Sequence, residues 1–269
     1  MIHISLSGEV LFYVGTLPIT NTLLTTWFVM LFLGVGSLIV SQNLRYVPGR
    51  GQVAIEGVVE GLHTTFKSIL GEKVTQFFPL LATLFLFIII SNWSGLLPGV
   101  GTIGIKKEIT TVTSTHSTET ISQTEQADAQ TEHDVRPFDI PLFRAPTADL
   151  NTTLALSIIA MVMLQYWGMA ALGSLTYLTK FISFKDPMSF FVGILEFISE
   201  IGKVISFAFR LFGNIFAGEV LLVIVGSLVP IIAPLPFIGL EIFVGFIQAL
   251  VFSMLLAVFL SIATTQTHH

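Results

Sequence analysis

The sequence predicts an all-α integral membrane protein: five membrane-crossing helices plus one amphipathic interfacial helix, the last two crossings long, tilted and antiparallel. Three observations carry this. Five apolar runs are each long enough to cross a bilayer, which takes about 20 helical residues. Only 11% of the 269 residues are charged, against 53% hydrophobic, and the mean hydropathy is +0.85. A soluble domain carries about 25% charged residues, so this chain cannot present a soluble surface. What charge there is lies mostly between the runs. Residues 1–269 are therefore read as one membrane domain.

The first crossing runs roughly from Thr22 to Val40. No Lys or Arg precedes Arg45, so the basic start of a cleavable signal peptide is missing and the N-terminus is expected to be retained. Residues 52–73 have another pattern. Ile55, Val59, Leu62, Phe66 and Ile69 recur at three- and four-residue steps, with Glu56, Glu60, Lys67 and Glu72 between them. This is an amphipathic helix, expected on the membrane surface, against protein, or both.

The second crossing spans Phe77 to Leu97, and residues 98–146 form a polar outer loop. Ten of the fifteen residues from Thr110 to Thr124 are Ser or Thr, a composition with too little apolar surface for a core. The third crossing runs from Pro146 to about Phe181, the fourth from Pro187 to Leu228, the last from Pro236 to Ala263. A helix of about 35 residues covers ~50 Å against a ~30 Å core. Tilt is the expected solution for the third and fourth, because no proline interrupts either.

Orientation follows from basic residues near the helix ends. Arg45, Arg50, Lys67, Lys73, Lys180 and Lys185 fall on one side, taken as cytoplasmic, which leaves the N-terminus outside and the C-terminus inside. The outer loop also has Lys106, Lys107, Arg136 and Arg144, outnumbered there by seven acidic residues. With no cysteine, disulfides and thiolate metal sites are excluded. No cofactor or metal is expected, the terminal His268 and His269 being read as incidental. No basic stripe of the kind that binds nucleic acid is present.

The chemistry lies in polar residues placed inside apolar helices. A guanidinium at bilayer depth costs from ~3 to more than ~10 kcal/mol and cannot be neutralised by deprotonation, which makes Arg210 a functional candidate at once. Glu196, Glu200, Lys203, Phe207, Arg210 and Asn214 follow three- and four-residue steps, so they are read as one stripe. Glu219 falls off it and is expected to face a neighbouring helix. On the last crossing Glu241 and Gln248 are seven apart and share a face.

A short turn with Pro230, Pro234 and Pro236 joins the last two crossings, so residues equally far from it lie at one depth. Glu219 is level with Glu241, and Arg210 with Gln248 about 13 Å deeper. Two carboxylates close together in low dielectric cannot both ionise cheaply, so at least one is expected to keep its proton. A polar file ending at a permanent cation suits proton carriage. The structural alternative, pairing that merely fixes helix register, weighs most for Glu196, Glu200 and Lys203, which lie toward the interface.

The run from Ser206 to Glu219 (SFAFRLFGNIFAGE) closely resembles the signature of subunit a of the F-type ATP synthases. FPLLATLFLF at 78–87, SNWSGLLPG at 91–99, APTADLNTT at 145–153 and IQALVF at 247–252 resemble other parts of that family, and the likeness covers about residues 8 to 265. The resemblance implies a stator in the Fo sector facing a rotating ring of c subunits, held by peripheral-stalk b subunits, most simply in a bacterial inner membrane. Arg210 would face the carboxylate of each passing c subunit. Asn214, Glu219, Glu241 and Gln248 match positions lining the outer proton path, and Glu196 one toward the inner exit. The chain would not be catalytic by itself. In many members one of the positions held here by Glu219 and Glu241 carries His or an uncharged residue. Sodium is a possible alternative to the proton, although proton flow is favoured.

The mechanism has a physical basis beside the resemblance. A ring carboxylate next to Arg210 has its charged form stabilised and releases its proton. Past Arg210 it takes up a proton from the polar file and can enter lipid neutral. A fixed cation between two half-channels also repels hopping protons and blocks a leak. The alternative is an ion-coupled secondary transporter in which Arg210 binds an anionic substrate; it predicts internal repeats and helices broken at mid-membrane.

Overall fold

The computed structural model describes residues 8–44, 48–97, 104–105, 140–173, 177, 187–229 and 232–265. Five of its helices are long and apolar enough to cross a membrane. The Ser/Thr-rich run, His268, His269, Arg45, Lys106, Lys107, Arg136, Lys180 and Lys185 lie outside the described residues.

The chain opens with a hairpin that the sequence reading did not anticipate. Strands β1 (Val10–Val14) and β2 (Leu17–Thr20) pair antiparallel and lead directly into α1 (Asn21–Gln42). Thr20 caps α1, its hydroxyl accepting from the Leu23 N–H. Asn21 is fully buried at this junction. Its side-chain oxygen accepts from the Glu9 N–H at 3.1 Å, and its amide donates to the Pro141 carbonyl at 3.2 Å. One amide thus ties the hairpin to the segment before the third crossing. The rest of α1 is loosely packed and exposes Trp27, Phe28, Leu31 and Phe32, an apolar surface suited to lipid.

Helix α2 (Arg50–Leu70) divides its apolar face. Leu62, Phe66 and Leu70 are buried, whereas Ile55, Val58 and Val59 are exposed. The elbow to α3 (Val74–Ser94) holds Gly71 at φ 58° and ψ −132°, a conformation only glycine adopts readily. There Lys73 donates through Nζ to the Thr264 carbonyl at 2.8 Å, a cation on the last turn of the final helix where its dipole favours one.

Strands β3 (Gly104–Ile105) and β4 (Ile140–Pro141) form a second short antiparallel pair. A 3₁₀ turn at Pro146–Ala148 follows, then α4 (Leu150–Leu172). Asp149 caps α4 through the Asn151 N–H and also accepts from Thr22 Oγ1 at 2.8 Å, joining α4 to α1. The third crossing is therefore shorter than the sequence predicts. It stops at Gly173, and its 23 residues span about 35 Å, which needs little tilt. Gly173 closes α4 at φ 84° and ψ 138°, a glycine-favoured backbone turn that hydropathy alone does not register.

Helices α5 (Pro187–Leu228) and α6 (Pro234–Thr264) run 42 and 31 residues. Their contacts pair rising positions on one with falling positions on the other: Lys203 with Phe259, Phe207 with Phe252, Gly218 with Glu241. The core lies where α3 and α6 meet α4 and α5, around Phe77, Leu81, Ile88, Leu211, Phe252 and Leu256. In lipid there is no hydrophobic gain from joining helices, so close packing and hydrogen bonds hold this core.

Candidate functional site

Toward the turn between α5 and α6, a cavity of about 300 Å³ is lined by Asn92, Arg144, Ile215, Glu219, Leu222 and Glu241, among others. The two carboxylates come from different helices and reach one space. Glu219 does not stand alone there. Arg144 Nε donates to both of its oxygens, at 3.1 and 3.2 Å, and Nη2 donates to Oε2 at 3.0 Å. The Arg144 side chain is 8% exposed and that of Glu219 36%, so the pair is partly desolvated and forked, the geometry in which charge-assisted bonds are strongest.

This changes the sequence reading, in which Arg144 was only a loop charge and the two carboxylates faced each other uncompensated. A fixed guanidinium offsets the negative charge of Glu219, so both carboxylates can share the cavity. The signal for Arg144 was its position directly before the turn that opens α4, near the outer ends of α5 and α6. The Arg144 N–H is held by Thr25 Oγ1 at 3.4 Å. Behind the cavity, Thr147 Oγ1 donates to Asn92 Oδ1 at 2.8 Å, and Asn92 Nδ2 donates to the Gly245 carbonyl at 3.1 Å.

Glu241 forms no ion pair among the described residues. Its carboxylate lies against Gly218, where any Cβ would overlap it. Glycine at 218 is thus what lets the acid of α6 approach α5 beside Glu219.

Deeper along α5, Arg210 is exposed on the helix surface, and its Nη2 donates to Ser206 Oγ at 3.3 Å. Among the described residues no carboxylate pairs with it. Asn214 is half-buried one turn on. Gln248 on α6 is 7% exposed, and its Nε2 has no hydrogen-bond partner among the described residues. Arg210 and Gln248 therefore differ in setting: one looks outward from the chain, the other into it.

The single polar stripe of the sequence reading divides for the same reason. Glu200, Phe207, Leu211 and Ile215 form the buried seam of α5, with Arg210 on the exposed side of it. Four-residue and three-residue steps drift around a helix of 3.6 residues per turn, and over the ten residues from Glu200 to Arg210, just under three turns, that drift separates a buried carboxylate from an exposed guanidinium. Glu196 is half-buried toward the N-terminal end of α5. Glu200 accepts from Lys203 Nζ at 2.7 Å and from Gln165 Nε2, on α4, at 3.0 Å. Among the described residues, no group of three or more His, Asp or Glu could hold a metal ion.

The family model described as "ATP synthase A chain" matches residues 23–261, a span that includes the Arg144–Glu219–Glu241 cavity, Arg210, Glu196 and Glu200. The chain belongs to the ATP synthase A chain family. It is also 30% identical over 258 residues to a protein named ATP synthase subunit a 2 from Bradyrhizobium sp. (strain BTAi1), covering 96% of this chain and 95% of that one. The ATP synthase A chain match thus takes in the whole set of crossing helices. The secondary-transporter reading required helices broken at mid-membrane, and α5 and α6 each run unbroken.

Proposed function

We propose that this chain is the ion-translocating stator of an F-type ATP synthase, coupling proton flow to rotation of a ring of c subunits and so to ATP synthesis. The observation that carries the reading is Arg210. It is a permanent cation on an outward-facing surface amid exposed Phe209 and Ile205, and among the described residues no carboxylate of this chain answers it. A guanidinium in that setting is stable only beside water or a carboxylate from another protein. The carboxylate of a passing c subunit is such a partner.

On this reading the Arg144–Glu219–Glu241 cavity is the outer half-channel. Arg144 engages and orients Glu219 in a forked ion pair, so Glu241 is the acid left to exchange protons with the outside. Asn214 and Gln248 continue the polar path toward the level of Arg210. The ring carboxylate beside Arg210 is kept ionised and gives its proton to the inner path, where Glu196 lies. Arg210 itself bars a direct leak, because a fixed positive charge raises the energy of a proton between the two paths. The chain performs no ATP chemistry by itself. Peripheral-stalk b subunits anchor it, the amphipathic α2 lies with its exposed first half at the membrane surface, and the membrane is a bacterial inner membrane.

The test is proton permeability in vesicles carrying the assembled complex. Arg210→Ala is expected to abolish ATP-driven acidification and, after removal of the soluble sector, to leave a passive leak. Wild-type coupled pumping by Arg210→Ala would refute the reading.

A further inference from the structure

On the inward side of Arg210 lies a second cation, Lys203, seven residues back along α5, about 10 Å along the axis. Its Nζ sits 4.9 Å from the centre of the Phe259 ring and 2.7 Å from Glu200 Oε1. Glu200 is the buried partner, 9% exposed, and its other oxygen is held as well, by Gln165 Nε2 at 3.0 Å. Gln165 is oriented in turn, because its Oε1 accepts from the Tyr177 phenol at 2.6 Å. Tyr177 lies beyond the end of α4 and packs its ring on Gly168. Burial, then the Glu200 and Glu196 carboxylates, push that phenol up to about 12, so it remains a donor throughout the physiological range. The bonds converge on Glu200: phenol O–H to amide oxygen and amide N–H to carboxylate from one side, ammonium N–H to carboxylate from the other.

The surroundings explain why such a chain matters. Glu200 and Gln165 border a cleft of about 870 Å³ between α4 and α5 whose walls are otherwise mostly apolar, with Met161, Ile194 and Phe197 among them. Charge is poorly screened in such surroundings. Lys203, beside Glu200 at the edge of these surroundings and over the Phe259 ring, would, if uncompensated, repel a proton leaving past Arg210 by the same mechanism with which Arg210 blocks a leak.

We infer that Glu200, held in place by Gln165 and Tyr177, masks the charge of Lys203, so that an outgoing proton meets one fixed cation and not two. The inference rests on the stator reading. It makes Glu200, Gln165 and Tyr177 positioning residues, and it gives Glu200 a task distinct from that of Glu196.

The experiment is passive proton conductance of vesicles carrying the complex stripped of its soluble sector, normalised to c-subunit content, with Arg210→Ala as a control. Glu200→Gln keeps the shape and removes the charge, and is expected to lower conductance about tenfold, as one poorly screened unit charge would. Lys203→Gln alone should conduct like wild type, and Glu200→Gln with Lys203→Gln should recover most of the loss. Tyr177→Phe keeps the carboxylate but releases Gln165, with an expected loss of about threefold, the effect of one hydrogen bond. A double variant no better than Glu200→Gln, or a Lys203→Gln variant as slow as Glu200→Gln, would overturn the inference. Arg210→Ala vesicles that leak no more than wild type would instead overturn the stator reading beneath it.

Discussion

Arg144 and Glu219 show how a single side chain changes the chemistry of a site. With Arg144 in place the two outer carboxylates are not equivalent: Glu219 is fixed in a fork, whereas Glu241 forms no ion pair among the described residues. Glu241→Gln should therefore slow proton uptake from the outside while leaving the complex stable. Glu219→Gln should also destabilise it, by about 1 kcal/mol, because it removes the charge from a partly buried forked pair. Proton conductance and thermal unfolding of the purified complex, measured together, separate the two effects. Equal stability of both variants would show that the ion pair contributes little. Arg210→Lys is expected to fail in coupled transport, because a desolvated ammonium can lose its charge and lacks the planar fork.

At the scale of the element, the pairing of α5 with α6 depends on the missing side chain at Gly218. Gly218→Ala places a methyl group where the Glu241 carboxylate now lies. The helices would hold their register through Phe207 and Phe252, whose rings are 4.7 Å apart, so the carboxylate would be the part to move. Proton conductance is expected to fall about tenfold, one misplaced polar contact at the acid, with assembly on native gels unchanged. The other end of α6 is held by Lys73. Lys73→Met should remove the bonds to Thr264 and cost about 1 kcal/mol, read as a lower melting temperature with conductance retained. Loss of conductance in Lys73→Met would mean that the α2–α3 elbow also shapes the inner path.

For the whole molecule, if each of the five long apolar helices crosses the membrane, the two ends of the chain lie on opposite sides of it. On the proposed reading, with basic residues on the cytoplasmic side, the start of the chain would lie outside. A cysteine at Thr16, in the exposed hairpin turn, should react with an impermeant reagent added to intact cells. One at Thr265, just past α6, should react only after permeabilisation. Labelling of Thr265 from outside would reverse the orientation and exchange the outer and inner paths.

Hydropathy placed four of the five long apolar helices within a few residues, because the cost of exposing peptide groups to lipid leaves a helix as the only way for such a run to cross; it overran the end of α4, which closes at Gly173. It also made Arg210, Glu219 and Glu241 legible, since a charge inside an apolar run is costly wherever the run folds. The short proline turn was enough to bring Glu219 and Glu241 to one level. What the sequence could not determine were interactions between residues far apart in the chain. Arg144 meets Glu219 across 75 positions, and Gln165 meets Glu200 across 35. Neither pair has a periodic signature, and each exists only because α4 and its lead-in pack against α5. The same packing decided which part of the polar stripe is buried, separating Glu200 from Arg210. Periodicity gives a residue's angle on its own helix, whereas the neighbour that occupies that angle is set by tertiary contacts.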